Sequence, residues 1–355
     1  MKILLLHTRL SGYLIACLRE LKRQTDAEIL IYAWPNQLEA PFDPVMFSNI
    51  GTVRNRYEAS DEDIFAQILS FNPTVVLTSG WRDKGYIRIC RRLKAKGFPI
   101  IAGCDTQWKG NVRQYVAGWL SPIYIQKIID ILWVTGERQR HFAQFLGYLG
   151  DRCWDGYYAC DWDAFSSEKK VANEDEPYFL YVGRYAPEKG LDTLAAAYRI
   201  YCQQVDNPWP LVCAGAGTLR DALISSGAED KGFIQPRDLP SLMSGAAAFV
   251  LPSRFEPWGV VVQEAAACGL PLIVSDVCGA GVHLVRSHHN GFSFSAGSVS
   301  ELTQRLVSMH KTSKAQLKAY GKASYELSKQ YTPQRWSKTL IEGIHRLKDK
   351  GIAAQ

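Results

Sequence analysis

Two glutamates eight residues apart carry the most chemistry in this 355-residue chain. In FVLPSRFEPWGVVVQEAAACGLP, residues 249–271, an apolar strand ends at Leu251-Pro252-Ser253. The loop that follows holds Arg254, Phe255, Glu256, Pro257, Trp258 and Gly259. The pattern predicts a helix over 260–268 that stops at Gly269-Leu270-Pro271, a common helix ending. Glu256 then stands at the mouth of the strand and Glu264 about one turn into the helix, with a run of Gly and Val amides between them. Carboxylates accept hydrogen bonds from sugar hydroxyls, and amides at a helix N-terminus bind phosphate oxygens. The stretch reads as a pocket for a sugar-bearing phosphate.

A second stretch, YFLYVGRYAPEKGLDTLAAAY at 178–198, supplies cations. Its strand ends at Gly183-Arg184, a short loop holds Glu188-Lys189, and Gly190 opens a helix. Gly183 lets the backbone turn close to a ligand. Arg184 and Lys189 beside unpaired helix N–H groups make an anion site suited to phosphate. Taken alone, this stretch fits equally a plain βα loop with solvated charges.

Together the two stretches resemble the retaining family 4 glycosyltransferases. The carriers are Glu-x7-Glu in EPWGVVVQE, LPS before it, EAAACGLPLIVSD after it, and VGRYAPEKGLDTL, which is similar to that family's diphosphate-binding loop. The resemblance covers about residues 177–306. It implies an α/β glycosyltransferase-B fold, with two facing Rossmann-like domains and an interdomain cleft. The donor would lie in the C-terminal domain. Arg184 and Lys189 would hold its diphosphate, Glu264 its ribose hydroxyls, and Glu256 would lie against the sugar. Backbone amides around Trp258, Gly259, Val260 and Val261 would meet sugar and phosphate. Phe233, Ile234 and Leu239, in the loop GFIQPRDL at 232–239, would flank the base. Gly12 and Gly183 would approach the donor.

The activity so implied is retaining, metal-independent hexosyl transfer from a nucleotide-diphosphate sugar to the hydroxyl of a glycan, lipid or small-molecule acceptor. UDP is the donor nucleotide by family association, with GDP and ADP open, and no cofactor is needed beyond this co-substrate. A catalytically silent nucleotide-sugar-binding module, or an epimerase of the same fold, are the competing readings. An epimerase is not expected to carry the Glu-x7-Glu loop. A dehydrogenase would want an intact glycine fingerprint, and Gly215-Ala216-Gly217 has Arg220 in the third glycine's place. That turn reads as a tight one only.

The N-terminal half departs from the family. Paired glycines often follow the first strand; here Thr8-Arg9-Leu10-Ser11 precedes Gly12 alone. Many members carry a histidine near a later strand end, where this chain has Cys104-Asp105-Thr106. Asp105 is expected to orient or deprotonate the acceptor hydroxyl, the alternative being a strand-end turn residue. His7 reads as a buried, satisfied histidine. His283 replaces a glutamate common after the turn Gly279-Ala280-Gly281. Trp81, Arg82, Tyr86, Trp108, Lys109, Tyr115 and Trp119 follow two strand ends and suit either a flat-faced acceptor or the core. Residues 82–96 hold seven basic residues and one acid, a helix face for peripheral contact with anionic lipid or simply for water.

These residues need two scaffolds. Strands are expected over 3–8, 28–33, 74–79, 99–104 and 131–135, then over 178–182, 211–214, 233–235, 248–251, 272–275 and 292–294, with amphipathic helices between. Such alternation predicts parallel sheets covered on both faces. Asn290-Gly291 reads as a hairpin-type turn. The polar run SSEKKVANEDE at 166–176 reads as a linker. Domains are thus expected at 1–168 and 177–331, with a helix over 332–350 that crosses back to the first. The composition, 47% hydrophobic and 21% charged with a net charge of +6, fits a globular chain and gives no case for nucleic acid. Nine cysteines lack Cys-x-x-Cys spacing, which argues against a zinc site. No apolar run approaches the about 18 residues of a membrane span. The N-terminus reads as a strand and not a leader, and a cytoplasmic location is the default expectation.

Overall fold

The computed structural model describes residues 1–35, 44–47, 49–167, 176–349 and 351. Most of the expected linker, residues 168–175, lies outside the described residues. The chain divides into two compact units, one built from residues up to Ala159 together with those from Pro333 onward, the other from Cys160–Thr332. Each is an α/β unit around a parallel sheet, so the Rossmann-like pair expected from the sequence is the architecture found.

The first unit holds β1 (Lys2–His7), β2 (Glu28–Ala33), β3 (Thr52–Asn55), β4 (Val75–Thr78), β5 (Ile100–Cys104), β6 (Ile131–Val134) and β7 (Cys153–Asp155). Their order is β3-β2-β1-β4-β5-β6-β7, all parallel. Successive side chains of a strand point to opposite faces. Ile3 and Leu5 accordingly join one core with the helices Gly12–Gln24 and Pro333–Asp349, while Leu4 and Leu6 join the other with Ile64, Phe65 and Tyr86. Burial on both faces is why β1 is a continuous apolar run. Strand order reverses between β1 and β4, and loops at the carboxyl ends flanking such a reversal are where ligands bind in open α/β sheets. In Pro333–Asp349, Trp336 stacks on Trp133 with centroids 4.8 Å apart, and its indole N–H donates to the Tyr157 carbonyl.

The second unit holds β8 (Phe179–Val182), β9 (Leu211–Ala214), β10 (Glu229–Asp230), β11 (Ala248–Leu251), β12 (Leu272–Ser275) and β13 (Gly291–Phe294). The order is β10-β9-β8-β11-β12-β13, with the reversal between β8 and β11. Two expectations fail here. The edge strand is Glu229–Asp230, paired to Val212 and Cys213, and not 233–235. Asn290-Gly291 makes no hairpin, because β13 runs parallel to β12. Asn290 is instead wholly buried, its amide donating to the Leu284 carbonyl and to Ser324 Oγ. Among the described residues, no helix is long and apolar enough to cross a membrane.

Candidate functional site

The carboxyl ends of β8 and β11 flank the reversal in the second sheet, and their two loops are bonded to each other. Gly190 has φ +66°, and a Cβ there would lie 2.2 Å from the Pro252 carbonyl oxygen. Only glycine lets the start of the helix Leu191–Gln204 sit this close to the end of β11. The amides of Arg254 and Phe255 donate to the Glu188 carbonyl at 2.8 and 3.1 Å. This joint brings Lys189 Nζ to Glu256 Oε2 at 2.5 Å, with both side chains largely buried. Arg184 lies in the same loop, half-buried, with Nη2 donating to Glu188 Oε1 at 2.7 Å.

The Glu256 loop rests on the turn after β12. Gly279 N donates to the Glu256 carbonyl at 3.1 Å and Ala280 N to the Trp258 carbonyl at 2.8 Å. A Cβ on Gly279 would meet the Pro257 oxygen at 2.1 Å, so the two backbones touch. Gly259 has φ +95° and precedes the helix Val260–Ala267. The amides of Val260 and Val261 open that helix and so have no intrahelical acceptor. The Trp258 ring is buried against His283 and Tyr331, with centroids 5.6 and 5.5 Å away. Its indole N–H has no hydrogen-bond partner among the described residues.

Glu264 lies half-buried in the same helix, and no described residue donates a hydrogen bond to its carboxyl. Burial, reinforced by the Asp161 carboxylate, pushes its pKa up to about 7. Phe233 and Ile234 are half-buried in the loop beyond β10, and Leu239 is buried at the start of a short helix, Leu239–Ser244. Sequence reasoning missed Asp230, which anchors that loop. It accepts from Tyr185 Oη at 2.8 Å, from Arg220 Nε at 2.5 Å and from Gly232 N at 2.9 Å. The turn at Gly215 packs tightly: a Cβ there would lie 1.9 Å from the Gly183 oxygen. Gly183 itself has φ +155°.

In the first unit, Asp105 is exposed just beyond β5 and accepts from Tyr158 Oη at 3.2 Å. Tyr158 stacks on Tyr157 with centroids 5.0 Å apart, and Tyr157 Oη lies 3.3 Å from His7 Nε2. Burial pushes the His7 pKa down to about 4, so its ring is neutral at physiological pH. Burial raises Tyr158, which keeps its proton and donates it to Asp105. The sequence singles out Asp105 and reads His7 as a buried histidine; it does not single out Tyr157 and Tyr158, which tie into them. Gly12 opens the helix Gly12–Gln24 behind the N-cap Ser11.

The aromatic residues of this unit separate. Tyr86 is core, its hydroxyl donating to the Tyr32 carbonyl at 2.8 Å. Trp108 packs on Phe145 with centroids 4.6 Å apart, while Trp119 stands in solvent. Much of the basic stretch 82–96 is answered by acids: Arg88 pairs with Asp61, Arg92 with Glu62 and Lys94 with Asp130.

Comparison with known proteins falls on the same loops. Residues 163–326 match the family model of glycosyl transferases group 1. The O-antigen chain mannosyltransferase B of Escherichia coli is 31% identical over 164 residues, 41% of this chain and 43% of that protein. The alpha-D-kanosaminyltransferase of Streptomyces kanamyceticus is 31% identical over 190 residues, 48% of each. The chain thus spans less than half the length of these relatives. The crystal structure of Anabaena HepE in complex with UDP matches with a TM-score of 0.78 at 14% identity, covering 98% of this chain and 100% of that one. Sucrose-phosphate synthase from Thermosynechococcus elongatus matches with a TM-score of 0.73 at 18% identity, covering 99% and 100%. At such identities the likeness is one of fold. The Glu256 and Lys189 loops both lie inside the segment, residues 163–326, that matches the model of glycosyl transferases group 1.

Proposed function

We propose that the protein is a retaining glycosyltransferase that moves a hexosyl group from a UDP-sugar to an acceptor hydroxyl without a metal ion. The observation that carries this reading is the buried Lys189–Glu256 pair beside Arg184, at the sheet reversal. Breaking the bond between the anomeric carbon and phosphate oxygen builds negative charge on the leaving diphosphate. Arg184, Lys189 and the first amides of the Val260–Ala267 helix stabilise it where it develops. The Lys189 ammonium has three N–H donors, so it can hold Glu256 and a phosphate oxygen together. Glu256, fixed by Lys189, orients the donor sugar. In the retaining course, the departing phosphate oxygen takes the proton of the attacking hydroxyl on the same face of the sugar. UDP is the chosen nucleotide because a neighbour of the same fold, Anabaena HepE, has been solved with UDP and with UDP-glucose. The mannosyl- and kanosaminyltransferase relatives support glycosyl transfer as the reaction.

Glu264, assigned to the ribose hydroxyls, gives this reading a pH signature. The free carboxyl titrates near 7, whereas hydroxyls donating to it favour the ionised form. Binding therefore releases a proton below the free pKa and strengthens as pH rises. Calorimetry with UDP-glucose, whose diphosphate is fully ionised throughout, should show affinity rising about tenfold between about pH 6 and about pH 8. In Glu264→Gln the affinity is weaker and flat with pH. A flat wild-type profile, or the same slope in the variant, removes Glu264 from the ribose.

A further inference from the structure

The helix Val112–Leu120 and the turn after it are inside out. Val112, Tyr115, Val116, Trp119, Leu120, Ile123 and Tyr124 recur at helical spacing, a pattern that normally marks the buried face. All seven are exposed here, Trp119 to 83%, Val112 to 78% and Ile123 to 65%. The side turned to the protein is small and polar. Gln114 donates its amide to the Gln107 carbonyl at 2.6 Å, and Ser121 Oγ donates to the Leu146 carbonyl at 2.7 Å. Gly118 lies under the Phe145 ring, where a Cβ would come within 2.1 Å. The helix is thus seated by its polar face and shows water an apolar stripe, to which the part-exposed Phe145 adds beside Tyr115. Contiguous exposed apolar surface of this kind marks a protein or membrane contact.

The surrounding charge chooses between them. Residues 106–129 contain Lys109, Arg113 and Lys127 and not one Asp or Glu. Arg113 and Lys127 are exposed and have no acidic partner among the described residues. Arg91, from the helix Lys84–Ala95, lies 5.7 Å from the centre of the Tyr124 ring and likewise has no acid beside it. On that helix Arg88, Arg92 and Lys94 each have an acid partner. Arg91, Arg113 and Lys127, at the border of the apolar stripe, have none among the described residues. An aromatic and aliphatic stripe with unpaired cations at its border fits the headgroup layer of an anionic membrane, where Trp and Tyr are favoured.

We propose that this face seats the protein on an anionic lipid bilayer, with Val112, Trp119 and Ile123 in the interfacial layer and Arg91, Arg113 and Lys127 against lipid phosphates. The inference is independent of the donor-site reading.

The test is sedimentation of the full chain with phosphatidylcholine vesicles, with and without about 30% phosphatidylglycerol, at about 0.1 M salt. The chain should bind the anionic vesicles, and bind pure phosphatidylcholine at least about tenfold more weakly. Trp119→Ser/Ile123→Ser should lose at least about tenfold in binding to the anionic vesicles. Arg113→Glu/Lys127→Glu should lose about fivefold or more per site. All four positions are exposed, so thermal melts of these variants should overlay the wild type. Light scattering without vesicles should show a monomer. Absence of binding, or undiminished binding by the Trp119→Ser/Ile123→Ser variant, overturns the proposal. A dimer that this variant dissolves also overturns it, and assigns the face to a second copy of the chain.

Discussion

Lys189→Ala should cost the protein roughly 3–5 kcal/mol of stability, because it strands the Glu256 carboxylate in a largely buried site. The two side chains meet at 2.5 Å and are 15% and 10% exposed. Breaking such a pair at one partner leaves a desolvated charge with nothing to offset it. Glu256→Gln costs less, since its amide oxygen still accepts from Lys189. The double variant Lys189→Ala/Glu256→Gln recovers most of the lost stability, and neither binds diphosphate tightly nor turns over. Urea denaturation of the four proteins, read as a double-mutant cycle, measures the coupling. Lys189→Ala unfolding within about 1 kcal/mol of wild type would show the pair to be solvated. Glu256→Gln separates the kinetic constants as well. Its donor affinity is kept and its turnover falls, because contacts at the reacting sugar differ between ground and transition states.

The second large effect belongs to the first unit. Asp105→Asn should keep donor affinity and lose transfer by roughly 10²–10⁴-fold, the range for a positioned acid–base group. Asp105 stands at a strand end with Tyr158 donating to it, and burial holds the proton on the tyrosine, so the carboxylate can accept from an acceptor hydroxyl. Slow hydrolysis of labelled donor should survive, since water needs no such orientation. Transfer within a few fold of wild type would leave Asp105 a turn residue. Arg9 would then be the next position to test. His7 is neutral beside Tyr157, and burial holds the Cys104 thiol at about 12.

Much of this was legible in the chain because parallel strands buried on both faces are unbroken apolar runs, as in Leu272–Ser275 and Ala248–Leu251. The edges were not. Thr52–Asn55 is mostly exposed and carries no run to find. The Phe233-Ile234 pair imitates a strand, yet the ladder belongs to Glu229–Asp230, held by Tyr185 and Arg220. Asn290-Gly291 has a hairpin's composition, but Gly291 is there because a Cβ would lie 1.9 Å from the Leu272 oxygen of the parallel neighbour. In the candidate site, Arg184, Lys189, Glu256 and Glu264 all sit on or beside strand-end loops, where type and spacing speak. That Lys189 binds Glu256 could not be read, because 67 residues separate them and their loops are joined by the close approach of Gly190 to Pro252 and by backbone hydrogen bonds to the Glu188 carbonyl. The periodic stripe from Val112 to Tyr124 has a core helix's spacing, and sequence carries no sign of which side faces water.

The central claim is that the donor diphosphate is held by the cations of the Gly183–Gly190 loop, and Arg184 is the clean probe of it. Unlike Lys189, it is 39% exposed and pairs with an equally exposed Glu188, so its removal strands no buried charge. Calorimetric titration of Arg184→Ala with UDP and with uridine is the direct measurement. Losing a charge-assisted hydrogen bond to phosphate costs about 1.5–3 kcal/mol, so UDP affinity should fall roughly ten- to hundredfold, with uridine affinity and the melting temperature unchanged. UDP affinity equal to wild type in this stable variant would contradict the account.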